Sequence, residues 1–175
     1  GSIETSYRDP STGTVYQIND AGNPYADECV IYSELILPGC ASVRGVAAAP
    51  DGKVWIGFSS CQGGVISIDP VTLQVGTYHP PLNVPLWIPD ANGVYHDSGT
   101  LAYGDLVYGI VIDSEGQLYQ SSYTRQYLPR FDTYNEQWVA IYQRDGQCSY
   151  GIAVDGRNRI WTGGWPGCSG VTMFD

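Results

Sequence analysis

The sequence predicts an all-β protein built as a β-propeller with four-stranded antiparallel blades. Three observations carry that prediction: a composition suited to short strands and tight turns, a unit that recurs three times, and a turn residue fixed within each unit. The chain has 175 residues with 22 Gly, 11 Pro and 14 Tyr, and it carries only one lysine. Frequent Gly and Pro between Tyr-, Val- and Ile-rich runs are the mark of strands joined by turns. Hydrophobic content of 43% argues against disorder, and no apolar run nears the ~20 residues of a membrane helix. The formal charge of −10 opposes phosphate backbones, so nucleic acid is excluded as a partner.

A threefold internal repeat sets the fold. Gly45 to Trp55, Gly109 to Tyr119 and Gly151 to Trp161 align without gaps. Each begins with a glycine and a short apolar run and ends, at its eleventh residue, on a large aromatic: Trp55, Tyr119 or Trp161. The eighth residue is Gly52, Gly116 or Asn158, the types that tolerate positive φ in a hairpin turn. A third strand then ends in Asp69, Asp132 or Asp175, at spacings of 24, 23 and 24 residues from the leading glycine. Fourth strands are expected over 73–78 and 137–142. Four strands in ~40 residues make one blade. Small residues such as Ala47, Ala48, Ala49 and Ala153 suit inner strands that crowd around an axis.

The expected organisation is therefore one partial propeller domain over 1–175. Residues 1–36 form the back half of a blade, with 14–19 as its third strand, 29–35 as its fourth, and the first two strands before residue 1. Blades follow at 40–79, 106–143 and 146–175, the last without its outer strand. An inserted loop at 80–105 explains why the first two leading glycines lie 64 residues apart and the last two 42. Three to four blades do not close a ring, so the chain is expected to belong to a larger, six- or seven-bladed propeller. Its open edges would pair with the remaining blades or with another chain.

Cysteine positions follow the repeat. Cys40 and Cys61 flank the first two strands of one blade, Cys148 and Cys168 occupy nearly the same places in another, and the middle blade has neither. Joint presence and joint absence predict bridges Cys40–Cys61 and Cys148–Cys168, with Cys29 left over. Such bridges imply an oxidising compartment, so a secreted, extracellular or periplasmic protein is expected.

Candidate ligand contacts lie at one end of the blades. Arg44, Tyr108 and Tyr150 each precede a leading glycine, while Tyr123 and Trp165 follow second strands and Trp87 sits in the insert. Aromatics beside an arginine suit a small molecule, a glycan or a peptide at the channel face. His79, His96 and Asp97 are the weak acid–base candidates, and none occupies a repeated position. No metal-ligand motif and no cofactor motif is present, although the acidic charge leaves room for loosely held Mg or Ca.

The units Tyr150–Trp161 and Tyr108–Tyr119 resemble blades of the virginiamycin B lyase-like (streptogramin lyase) propellers, bacterial proteins with many large secreted relatives. NHL and periplasmic sensor propellers carry similar repeats. The resemblance covers about residues 40–175, with a fainter echo in 12–36. It implies a propeller fold and, for the lyases themselves, magnesium-dependent elimination that opens a cyclic depsipeptide through histidines and a glutamate on the channel face. The lyase repeat often has histidine just before Gly-Ile. Here those positions are Arg44, Tyr108 and Tyr150. The reading taken forward is a non-catalytic bacterial module that binds a ligand or partner on its loop-rich face. Its alternatives are a lyase of the virginiamycin B type and a structural assembly protein pairing through open blade edges.

Overall fold

The computed structural model describes residues 6–8, 15–17, 37, 42–59, 63–77, 79–104, 107–122, 126–143, 150–164 and 170–175. All five cysteines, Tyr123, Trp165 and the expected strand at 29–35 lie outside them. Two compact units are distinguished, Gly1–Ile36 and Leu37–Asp175. In the first, β1 (Ser6–Arg8) pairs antiparallel with β2 (Val15–Gln17). The strand expected at 14–19 is described over Val15–Gln17, where it pairs with Ser6–Arg8.

The second unit is all-β, with no helix among the described residues. β3 (Val43–Ala48), β4 (Val54–Phe58) and β5 (Gly64–Ile68) form an antiparallel sheet. The fourth strand expected at 73–78 is reduced to two bridges, Ile68 with Val75 and Val65 with His79. Next come β6 (Val84–Pro89) and β7 (Tyr95–Ala102), then β8 (Val107–Ile112), β9 (Gln117–Ser122), β10 (Tyr127–Asp132) and β11 (Gln137–Gln143). These six make one sheet in the order β7-β6-β11-β10-β9-β8. A third sheet holds β12 (Gly151–Val154), β13 (Ile160–Gly163) and β14 (Val171–Phe174).

The three repeats superpose in register. Ala47 faces Trp55, Val111 faces Tyr119 and Ala153 faces Trp161. The turns have φ of 88° at Gly52, 77° at Gly116 and 61° at Asn158, the left-handed conformation that their residue types permit. In the second and third repeats an aspartate side chain closes the turn. Asp113 Oδ1 accepts the amides of Glu115 and Gln117, and Asp155 Oδ1 accepts those of Arg157 and Arg159. The aspartates that end the third strands do the same for the next turn: Asp69 Oδ1 takes the amides of Val71 and Thr72, and Asp132 Oδ1 those of Tyr134 and Asn135.

The sheets stand beside one another through their first strands, with β8 between β3 and β12. That arrangement is a partial β-propeller. The leading glycines explain the close approach. A Cβ on Gly45 would lie 2.7 Å from the Ile110 amide nitrogen, and one on Gly109 would lie 3.1 Å from Ile152 Cγ2. Between the first and second blades the seam has an apolar centre: Trp55, Val65, Val107, Ile110, Leu118 and Phe131 are buried in one cluster. Trp55 and Trp138 both lie 5.1 Å from the Phe131 ring. Aromatic pairs at that spacing add about 0.5–1.5 kcal/mol beyond burial.

The insert at 80–105, expected as a loop, contains the hairpin β6–β7. β6 pairs parallel with the fourth strand β11, and only at Leu86 and Trp87, between Pro85 and Pro89. Proline donates no ladder hydrogen bond, so pairing is confined to the stretch between the two rings. The hairpin turn repeats the blade chemistry, since Asp90 Oδ1 accepts the amides of Asn92 and Val94 and Gly93 has φ 82°.

Candidate functional site

Three equivalent positions meet at the start of the inner strands. Arg44, Tyr108 and Tyr150 each come immediately before a leading glycine, and the glycine-permitted approach of β3, β8 and β12 sets them in a row. The Arg44 guanidinium carbon lies 5.9 Å from the centre of the Tyr108 ring, within reach of a cation–π attraction. Its Nε donates to Ser59 Oγ at 3.2 Å, which fixes the head of an otherwise exposed side chain. The Tyr108 and Tyr150 rings have centroids 3.8 Å apart and are inclined by 31°. The Tyr150 hydroxyl donates to the Tyr108 hydroxyl.

The backbone beneath is tied across the blades. Ser121 Oγ accepts the Gly109 amide at 2.7 Å and lies 3.2 Å from the Tyr150 carbonyl, to which it donates. In the first repeat the equivalent residue is Gly57, where a Cβ would come within 2.6 Å of Ile110 Cγ2. One blade thus uses the position for packing and the next for a hydrogen bond. The result is a half-buried pair of phenols beside an exposed cation. Such a row offers flat faces for stacking, hydroxyls for hydrogen bonds and one positive charge.

The other expected residues lie elsewhere. Trp87, on β6, is four ladder steps from β8, roughly 19 Å at ~4.8 Å per step, so it is not part of the row. It faces the cleft between the second and third blades, 6.3 Å from Tyr142. His79 sits in the seam of the first two blades. Its ring lies 5.3 Å from Phe131, and its Nε2 is 3.7 Å from Glu136 Oε2, which also takes Lys53 through Oε1 at 3.2 Å. His96, on β7, has its Nε2 3.3 Å from Asp90 Oδ2 in the hairpin turn. Asp97 Oδ1 accepts the Gly99 amide at 2.9 Å. The two histidines thus serve different elements, and neither borders the Arg44–Tyr108–Tyr150 row.

Tyr119 and Asp155 are among the groups near the third blade with displaced titrations. Burial pushes the Tyr119 phenol up to about 12. Asp155 is held well below the usual carboxylate range, first by the Arg159 guanidinium and next by the Trp161 indole N–H, with two backbone amides assisting. Both effects belong to packing: Tyr119 is the repeat aromatic of the second blade, and Asp155 closes the first turn of the third.

No family model matches the chain, and no curated protein matches it. Solved structures do. The extracellular domain assigned to a hybrid two component system from B. thetaiotaomicron is 21% identical, with TM-score 0.43 over 69% of this chain and 14% of that one. Virginiamycin B lyase from Staphylococcus aureus is 16% identical, with TM-score 0.47 over 77% of this chain and 41% of that one. A gluconolactonase from Xanthomonas campestris is 14% identical, with TM-score 0.36 over 96% of this chain and 63% of that one. The chain spans less than two thirds of the length of each.

Proposed function

We propose that the chain is a non-catalytic β-propeller module of a bacterial protein working outside the cytosol, binding a ligand or partner through the face that bears Arg44, Tyr108 and Tyr150. The observation that carries the reading is the convergence of one repeat position from three blades into a cation and two stacked phenols. A small molecule, a glycan or a peptide with a flat face and hydrogen-bonding groups suits that surface. The dispersal of His79, His96 and Asp97 over separate elements favours binding over acid–base chemistry. The bridges Cys40–Cys61 and Cys148–Cys168, read from the repeat, support the oxidising compartment.

A further blade, from the same propeller or another chain, is favoured as a neighbour by the outer face of the third blade. There a Cβ on Gly151 would meet nothing within 4 Å, and Trp161 and Val171 are 36% and 71% exposed.

The binding reading is tested by screening the whole chain beside its Tyr108→Ala/Tyr150→Ala variant on one glycan and peptide array. Signals present for the parent and lost in the variant are expected. A blank array for the parent, or equal signals for both, overturns the reading. So does magnesium-dependent ring opening of a cyclic depsipeptide that His96→Ala abolishes.

A further inference from the structure

The two seams between the described blades are built from equivalent positions but filled differently. In the first seam Trp55, whose cross-strand partner is Ser67, packs among apolar residues of the next blade, and Trp138 from β11 closes the outer side against Phe131. In the second seam the corresponding residues are Tyr119 and Arg130, and the residue matching Phe131 is Phe174. Tyr95 from the β6–β7 hairpin takes the closing role, its ring 5.9 Å from Phe174 and 5.4 Å from Tyr142. Its hydroxyl anchors the hairpin by donating to the Gln143 carbonyl at 3.0 Å. What remains between them is a cavity of about 840 Å³ walled by Trp87, Tyr95, Tyr119, Tyr142 and Phe174, with Arg130 inside.

Arg130 is the informative group. Its guanidinium is half-buried, its Nε donates to Gln117 Oε1 at 2.9 Å, and its Nη1 makes a long contact of 3.4 Å to the Tyr142 hydroxyl. A guanidinium has five N–H donors. No carboxylate among the described residues lies within ion-pair distance of it, in a chain with 18 acidic side chains. The nearby Asp113 spends its Oδ1 on the amides of its own turn. At the exposed rim Glu115 and Asp175 are offset in part by Arg157. Burial opposes the charge, while the Tyr142 hydroxyl and the field of Asp113 favour it, so the guanidinium stays charged with donors to spare.

We propose that this cleft is a ligand site, separate from the Arg44 row, for a small monocarboxylate with a flat apolar body. The carboxylate accepts from the unspent donors of Arg130, for which a planar fork is the matching shape. The body lies between Trp87, Tyr95 and Phe174.

The test uses the whole chain and two probes of equal shape, 4-hydroxyphenylacetate and its neutral amide, by calorimetric titration. The acid is expected to bind saturably and at least about tenfold tighter than the amide, the worth of one charge-assisted contact. Arg130→Gln should remove that advantage and leave the weak amide binding unchanged. Trp87→Ala should weaken both probes. If the Arg130 variant does not fold, the indole N–H resonance of Trp87 in the parent gives the second readout: it should shift with the acid and not with the amide. Equal affinity for the two probes, no binding of the acid, a Trp87 resonance that ignores it, or an Arg130→Gln variant that keeps the preference overturns the proposal.

Discussion

Alanine placed at the three leading glycines should give three different results, although the local sequences are alike. At Gly45 the new Cβ would sit 2.7 Å from the Ile110 nitrogen and 3.2 Å from two backbone atoms of Gly109. Carbon contacts settle near 3.5–4.0 Å, so the seam must open by several tenths of an ångström along a whole strand. Such overpacking costs about 1–3 kcal/mol. Stiffening the unfolded chain returns about 0.4–1 kcal/mol, which leaves a net loss near 1–2 kcal/mol. At Gly109 the nearest atoms are side-chain ones, Ile152 Cγ2 at 3.1 Å and Ser121 Oγ at 3.2 Å, which can yield. The two effects then nearly cancel. At Gly151 nothing lies within 4 Å, so only the gain remains, about 0.5 kcal/mol of added stability. Urea unfolding followed by tryptophan fluorescence checks the series. With a slope of about 2 kcal/mol/M, the midpoints of Gly45→Ala and Gly151→Ala should differ by about 1 M, with Gly109→Ala between them. Equal loss at Gly45 and Gly151, or a neutral Gly45→Ala, would refute the stacking of blades through their inner strands.

The repeat aromatics should separate in the same experiment. Trp55 is fully buried, so Trp55→Ala should cost about 3–5 kcal/mol, whereas Trp161, 36% exposed and bonded to Asp155 through its indole N–H, should cost about 1–2 kcal/mol when truncated. Tyr119 should ionise only near pH 12, seen as absorbance at 295 nm that Tyr119→Phe removes. Its folded pKa lies above the unfolded value, so its contribution is intact below pH ~10 and is lost as the pH climbs towards 12. Tyr119→Phe should therefore flatten the alkaline fall in stability, and an unchanged fall would count against burial of this phenol.

The blade hairpins are legible in the sequence because their requirement is local. Gly52, Gly116 and Asn158 occupy a left-handed turn that few residues accept, and the aromatic three residues later inherits its register from that turn. The inserted hairpin is written in the same code, Asp90-Ala-Asn-Gly93 matching Asp113-Ser-Glu-Gly116, but Pro85 and Pro89 make its first strand read as loop. Those prolines are tolerated because β6 borrows from β11 only at Leu86 and Trp87. The row of Arg44, Tyr108 and Tyr150 is visible as a shared offset from the leading glycines, although its ring stacking is not. The cleft around Arg130 has no linear signal. It arises where Tyr119 and Arg130 replace Trp55 and Ser67, and where Tyr95, far off in the chain, stands in for a fourth strand.

Extending the second blade outward by two strands creates a new frontier, and a frontier of bare amides recruits neighbours. Along β7 that growth is arrested by the strand's own side chains. Asp97 caps the Gly99 amide, Ser98 Oγ accepts the Thr100 amide, and Gly99 at φ 71° bends the line. The exposed imidazole of His96 and carboxylate of Asp97 further deter a stranger from docking in register. The hairpin thus serves the molecule twice, closing one flank of a cleft while making the sheet's rim a poor template for aggregation.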